Sequence, residues 1–322
     1  MSISNRSEIL FLYDVNYANP NGDPLDANKP RIDEETGRNI VTDVRLKRTV
    51  RDYLHQVKGE EIFVREIADD NDVIQDAKLR AEDFLLQEGI KLNKSKLGNF
   101  KEMKDIIQNN LLSDCIDVRL FGATIPLEKS AKEKGSITFT GPVQFKMGRS
   151  LHRVKLQYIK GTGAFAADEN KTQKTFREEY VLPYSLIAFH GIVNENAAKH
   201  TGLTEDDVSK LLEALWAGTR NLISRSKAMH NPRLLLRVAY SEPCFHMGEL
   251  DKLVSAEYKV EDEALRDIDE IILNVEPLIK ALVDNSEKIA YVQYFIADAV
   301  RTSTNFAEEL SALGIKTEAM SF

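Results

Sequence analysis

Four apolar runs of strand length, interleaved with two capped amphipathic helices, constrain the fold of this 322-residue chain more than any other feature. The runs are Glu8–Tyr17 (EILFLYDVNY), Ser136–Met147 (SITFTGPVQFKM, alternating about a Gly-Pro break), Val181–Val193 (VLPYSLIAFHGIV) and Arg233–Tyr240 (RLLLRVAY). Each has the apolar, aromatic and β-branched content of a strand. Between the first and second, Thr42 is a helix N-cap and Asp43 suits the positive end of the helix dipole. Leu46, Val50, Tyr53 and Leu54 then fall on one helical face, with Lys47, Arg48 and Arg51 on the other side. Between the third and fourth, Thr204 precedes Glu205, Asp206 and Asp207, and apolar residues from Val208 to Ile223 keep a helical repeat to about Arg225. The order β-α-β-β-α-β is the split βαβ of a ferredoxin-like sheet. It predicts an α+β fold, and fold alone does not assign function.

Two long segments interrupt that order. Lys58–Leu112 is highly charged, mixed in sign and helix-leaning, with apolar repeats such as Ala81/Phe84/Leu85, and reads as an inserted helical lobe. Ser150–Tyr180 is polar and irregular, with isolated Phe165 and Phe176, and suits a long hairpin better than core. A connection of that length inside a domain is functional or disordered. Asn19–Pro30 (NPNGDPLDANKP) is dense in turn dipeptides and begins a loop that runs to Ile40. After Ser241, a helical piece at Glu276–Val283 and a strand-like run at Ile289–Ile296 read as an annex packed on the sheet.

The formal net charge of −8 argues against a polyanion partner until the charges are located. Residues 249–322 hold 16 acids and 7 bases; residues 1–248 hold 35 acids and 36 bases. Two stretches of the first part, Lys134–Ala167 and Ala214–Ser241, carry no carboxylate at all. With the cluster Arg45, Lys47, Arg48 and Arg51 they form three basic segments, which either make one track or are three separate solvated faces. The acidic annex is expected to face away from them.

Other chemistries find little support. Cys115 and Cys244 make no disulfide framework and no zinc pattern. The six histidines are scattered, and His190, in an apolar run, reads as a core residue. Asp14, Asp23, Asp26, Asp33, Glu34 and Glu35 cluster near the first loop, where a two-metal phosphodiesterase would want them. Asn-Gly-Asp-Pro equally makes Asx-type turns, and no known ligand spacing is present. No metal or cofactor is expected. No run approaches a membrane-spanning length, and the start lacks a cleavable signal, so a cytoplasmic protein is the expectation.

The motifs Asn19-Pro20-Asn21-Gly22-Asp23-Pro24, Pro30-Arg31-Ile32-Asp33 and Val41-Thr42-Asp43-Val44-Arg45-Leu46-Lys47-Arg48 resemble a particular family. They look like the backbone subunit of type I CRISPR-associated Cascade complexes, the Cas7 family, in a form close to the type I-B branch with type I-C a near relative. Arg119-Leu120-Phe121-Gly122-Ala123, Gly141-Pro142-Val143-Gln144-Phe145 and Ser224-Arg225-Ser226-Lys227 agree with it, and the resemblance spans residues 7–245. It implies an RNA-recognition-motif palm (1–57, 113–149 and 181–245), helical fingers (58–112), a β-hairpin thumb (150–180) and an acidic annex (246–322). It implies a non-catalytic subunit that polymerises with further copies along a CRISPR RNA, beside other Cascade subunits. The guide is thereby presented to a target DNA strand. Carried onto matching positions, the RNA-binding residues would be Asn21, Arg31, Arg45, Lys47, Arg48 and Arg51. Arg149, His152 and Arg153 would follow where the strand enters the thumb, Phe165 at the thumb tip, and Arg225, Lys227 and His230 beside the guide. Relatives in type III complexes cut RNA with a loop aspartate, so a metal-dependent ribonuclease using Asp23, Asp26 and Asp33 is one alternative. A monomeric RNA-recognition-motif module is the other.

Overall fold

The first apolar run becomes a strand that is buried on both faces. β1 (Ser7–Ala18) is buried at every position from Ser7 to Val15, which demands cover above and below and a partner on each edge. A computed structural model supplies these; it describes residues 2–68, 74–87, 89–94, 97, 99–162, 176–312 and 314–322, with backbone alone at 162, 176 and 177. Arg38–Val41 (β2) leads through Thr42 into α1 (Asp43–Gln56). A lobe follows, with α2 (Phe100–Asp114) as its main helix and a hairpin of β3 (Gly122–Ser130) and β4 (Glu133–Thr140). Then come β5 (Val143–Phe145), β6 (Gly148–Arg153), β7 (Gln157–Thr162), β8 (Phe176–Val193), α3 (Glu205–Arg220) and β9 (His230–Tyr240). The last part contributes α4 (Glu276–Asp284), β10 (Ile289–Ile296) and β11 (Thr317–Ala319).

The main sheet runs β11-β10-β9-β1-β8-β6-β2, with β5 and β7 also paired to β8. β9, β1, β8 and the β5/β6 pair are mutually antiparallel neighbours. β10 and β11 pair in parallel. The register sets Phe11 against Phe189 and Leu10 against His190. Odd positions of β1 therefore face α1 and α3, where Phe11, Tyr13 and Val15 meet Val50, Leu54, Leu211 and Leu215. Even positions face the annex, where Leu10 and Leu12 meet Leu250, Leu273, Leu278 and Phe306. Both expected helix caps form: Thr42 accepts from the Arg45 N–H, and Thr204 makes a capping box with Asp207.

Three buried charges knit the layers, and each is matched. Glu8 is fully buried and accepts from Tyr240 Oη, from the N–H groups of Met247 (2.8 Å) and Gly248 (2.9 Å), and pairs with His190 Nε2 (2.7 Å). Burial works against its charge, but the His190 and Tyr240 hydrogen bonds outweigh it and hold the carboxyl below its usual pKa. Asp14 pairs with Arg233 (2.7 Å) and accepts from Asn231 and Tyr184. Arg237 donates to Glu205 (2.8 Å) and Ser7.

The structure departs from the sequence reading in three places. Ser136–Met147 is divided between two sheets: β4 pairs with β3, and β5 joins the main sheet. Ile125, Leu127, Ile137 and Phe139 share a core with Phe84, Met103 and Ile107 of the lobe, so the lobe's core reaches Phe139 rather than ending at Leu112. The division falls at Gly141, where a Cβ would lie 2.0 Å from the Phe121 carbonyl carbon. Second, α3 stops at Arg220, and Ile223 is 83% exposed. Third, β8 begins at Phe176 and is 18 residues long, its first part paired with β7 as a hairpin. Phe165 lies outside the described residues. Among the described residues no helix is long and apolar enough to cross a membrane.

Candidate nucleic-acid interface

The turn-rich loop after β1 is tied down at both ends. Asn19 donates its N–H to Ser226 O (2.7 Å) and its Nδ2 to Asn28 O (2.6 Å), and its own carbonyl accepts from Lys227 Nζ (2.9 Å). Asn21 Oδ1 accepts from both the N–H and the hydroxyl of Thr42, each at 2.9 Å. Asn21 thus holds the loop against the start of α1. Gly22 sits where a Cβ would lie 2.8 Å from the Asn28 carbonyl oxygen, closer than a side chain allows. Asp23 accepts from the Leu25 N–H, and Asp33 from the Glu35 N–H and the Thr36 hydroxyl. Asp23 also pairs with Arg31 and Asp26 with Lys29, both at 2.7 Å. These carboxylates are engaged as turn formers and ion-pair partners.

This tethering brings Arg45 and Lys227 together beside His230. Arg45 donates to Thr49 Oγ1 (3.1 Å), and burial lowers its pKa. Burial, together with the Arg45 charge, pushes Lys227 down to about 8. Burial likewise pushes His230 down to about 4, so its imidazole is neutral at pH 7. His230 Nδ1–H donates to Lys227 O (2.8 Å), and the ring stacks on Tyr13 with centroids 5.8 Å apart. Arg45 Nε, His230 Nε2 and Asn19 Oδ1, all in this cluster, are buried without a hydrogen-bond partner. Among the described residues neither Arg45 nor Lys227 has an ion-paired carboxylate; Asp52, whose charge Arg45 senses, is bound to Arg48 at 2.7 Å.

The other bases of α1 point elsewhere. Lys47 bonds Asp43 and lies over the Phe121 ring. Arg51 lies over the same ring and bonds Asp117 (2.8 Å), whose carboxylate also accepts from the Phe63 and Val64 N–H groups. Arg48 faces solvent with Asp52. Helical spacing groups these three on one side; their acidic and aromatic neighbours divide them.

A row of concavities connects the remaining candidates. A cleft of about 640 Å³ between β6 and the annex is lined by Arg38, Arg149, Met147, Leu151, Asp251 and Lys252. Met147 also lines a cleft of about 550 Å³ with Arg31, Pro30, Ile40 and Thr42. Beyond Lys29, Asn28 and Asn19 line a third, of about 380 Å³, with Glu179, Ser224, Arg225 and Ser226. Arg149 is exposed and among the described residues has no ion-paired carboxylate, whereas Arg225 pairs with Glu179 at 3.0 Å. Arg153 sits at the far end, its N–H on Asp262 and its side chain against Gly37. His152 is 2% exposed, with Nδ1 on Arg153 O and Nε2 accepting from the Leu186 N–H. It presents no nitrogen to the surface and instead locks β6 to β8. The annex is not wholly apart from the bases, since Asp251 pairs with Lys146 across the first cleft. Asn19 and Arg38 escaped the sequence reading. Asn19 sits in the motif that singled out Asn21, and no spacing rule separates the two.

Comparison with known proteins decides what kind of chain this is. A family model described as CRISPR-associated protein Cas7 matches residues 5–276, which include every candidate above. The chain belongs to the Cas7 family. A CRISPR-associated protein Cas7 from Haloferax volcanii is 32% identical over 309 residues, covering 90% of this chain and 86% of that protein. Two solved structures share the Cas7-like fold at 16% identity, covering 96% of this chain and 98% of theirs. One is titled CRISPR RNA-guided surveillance complex, pre-nicking (TM-score 0.53), the other CRISPR RNA-guided surveillance complex (TM-score 0.50).

Proposed function

We propose that this chain is a non-catalytic, guide-RNA-binding backbone subunit of a type I interference complex. Copies line up along a CRISPR RNA and present it to a target DNA strand, beside the complex's other subunits, in cytoplasmic antiviral defence. The observation that carries this is the Arg45–Lys227 pair: two half-buried cations that, among the described residues, have no ion-paired carboxylate. Desolvated like charges are unfavourable unless an anion completes them, and a nucleic-acid phosphate is such an anion. Family membership and the surveillance-complex titles of the structural relatives favour RNA as its source.

In this reading Arg45 and Lys227 hold a backbone phosphate. Arg149, Arg31 and Arg225 contact the strand along the row of clefts, and Arg153 extends it toward the hairpin. Asn21, His152 and His230 support these residues from behind, and Lys47, Arg48 and Arg51 contribute less. The strand order β9-β1-β8-β5/β6 favours a ferredoxin-like, RNA-recognition-motif palm. The lobe before residue 141 would be the fingers and the β7/β8 hairpin the thumb, with Phe165 near its tip.

Replacing both Arg45 and Lys227 by Ala should strip copurifying short RNA from the chain, read as a fall in the 260/280 nm absorbance ratio. RNA content equal to that of the unaltered chain would reject the reading.

A further inference from the structure

Tyr17 and Met229 stand at the same corner of the sheet. Val15 and His230 are cross-strand partners; Tyr17 lies two residues beyond Val15, and Met229 immediately precedes His230. The Asn19 N–H to Ser226 O bond continues the pairing past them. Both side chains are exposed, Tyr17 at 52% and Met229 at 64%, so neither is held there by core packing. Both also occupy the left-handed region, with φ of 42° and 62°. Among the described residues six non-glycine residues have positive φ, and four of them, Tyr17, Ala27, Asn28 and Met229, surround Asn19. Asn19 bonds Asn28 O, and Ala27 and Asn28 line the cleft it shares with Arg225. Strain of this kind persists where the surroundings over-determine it, and it gathers at binding sites.

Resting on the reading that Arg45 and Lys227 take a backbone phosphate, we propose that Tyr17 and Met229 form a platform on which an unpaired nucleobase of the same strand stacks. The phosphate site fixes the strand within reach of Tyr17, two residues from the Asn19 carbonyl that Lys227 binds. A tyrosine ring and a thioether both offer polarizable faces to a base, and stacking of this type tolerates any sequence.

The test uses the purified chain with a short single-stranded RNA and with the same strand carrying abasic residues. The intact strand should bind the unaltered chain more tightly than the abasic one. Tyr17→Ala should lose roughly five- to 100-fold on intact RNA and no longer distinguish the strands. Its salt dependence should equal that of the unaltered chain, because no phosphate contact is removed. Tyr17→Phe should retain binding. Tyr17→Gly relieves the strained φ, so it should melt at or above the unaltered chain while losing the same affinity; a purely structural Tyr17 would lose both. The proposal is overturned if Tyr17→Ala and Tyr17→Gly bind both strands as the unaltered chain does. It is also overturned if Tyr17→Ala impairs assembly of copies on a long RNA yet binds a one-copy RNA normally, which would make this corner a contact between copies. Failure of the underlying phosphate reading is separate: Lys227→Met would then keep the unaltered affinity and salt dependence.

Discussion

The sheet interior and the corner beside Lys227 treat buried charge in opposite ways. Glu8, Asp14 and Arg237 are each 1% exposed or less, and each is met by an opposite charge or by several hydrogen bonds. Arg45 and Lys227 are also desolvated, yet among the described residues neither has an ion-paired carboxylate. Matched buried charges hold the fold together, and removing one partner leaves the other stranded. An unmatched pair lowers stability until a ligand completes it. Under the proposed function, the contrast separates structural polarity from binding polarity within one chain.

The largest effect should come from breaking a matched site. Glu8→Ala strands Tyr240 Oη, His190 and two annex N–H groups, and should destabilise the fold by about 3 kcal/mol or more in chemical denaturation. Because the Glu8 carboxyl is held low in the folded state, its contribution is complete above the ordinary glutamate pKa. It is lost as pH falls through the lowered value. Acid unfolding of the variant should accordingly show less pH dependence below about pH 4.5.

Lys227→Met should behave in the opposite sense. It removes a cation without an ion-paired carboxylate together with one bond to the Asn19 carbonyl, so the stability change should be far smaller than for Glu8→Ala, while RNA affinity falls by about tenfold or more. A loss of stability comparable to that of Glu8→Ala would erase the distinction between the two regions.

The pH dependence sharpens it further. Folding lowers the Lys227 pKa to about 8, so the unfolded chain binds more protons above that pH, and stability should rise toward the ordinary lysine value. Below about 8 the folded chain carries the full penalty. RNA binding needs the charged form, so affinity should weaken as pH rises through about 8, and Lys227→Met should lack that limb. Smallest of all, Arg48→Ala breaks an exposed pair and should change stability by less than about 0.5 kcal/mol. Its RNA affinity should fall less than that of Lys227→Met, as titration of both variants would show.

The β-α-β-β-α-β frame was legible because apolar runs and capped helices report local burial directly. Alternation around Gly141-Pro142 looks the same on both sides, so it could not reveal that β4 joins the lobe while β5 joins the main sheet. The acidic annex was legible as a composition shift, but not the contact that places Asp251 against Lys146. Within the candidate site, Arg45, Lys227 and Arg149 were named through the resemblance rather than through spacing. Helical spacing grouped Lys47, Arg48 and Arg51 as one basic face; Asp43, Asp52 and Asp117 turn them three ways. His152 had the right chemistry for a contact and the wrong burial, which depends on the register between β6 and β8.

The proposed function stands on Arg45 and Lys227 holding a nucleic-acid phosphate. Its most direct test is the salt dependence of RNA binding by the unaltered chain and by Lys227→Met. Each neutralised phosphate on a single strand contributes a slope of about −0.7 in log K against log salt. Lys227→Met should flatten the slope by about that amount while remaining folded. An unchanged slope and affinity would contradict it.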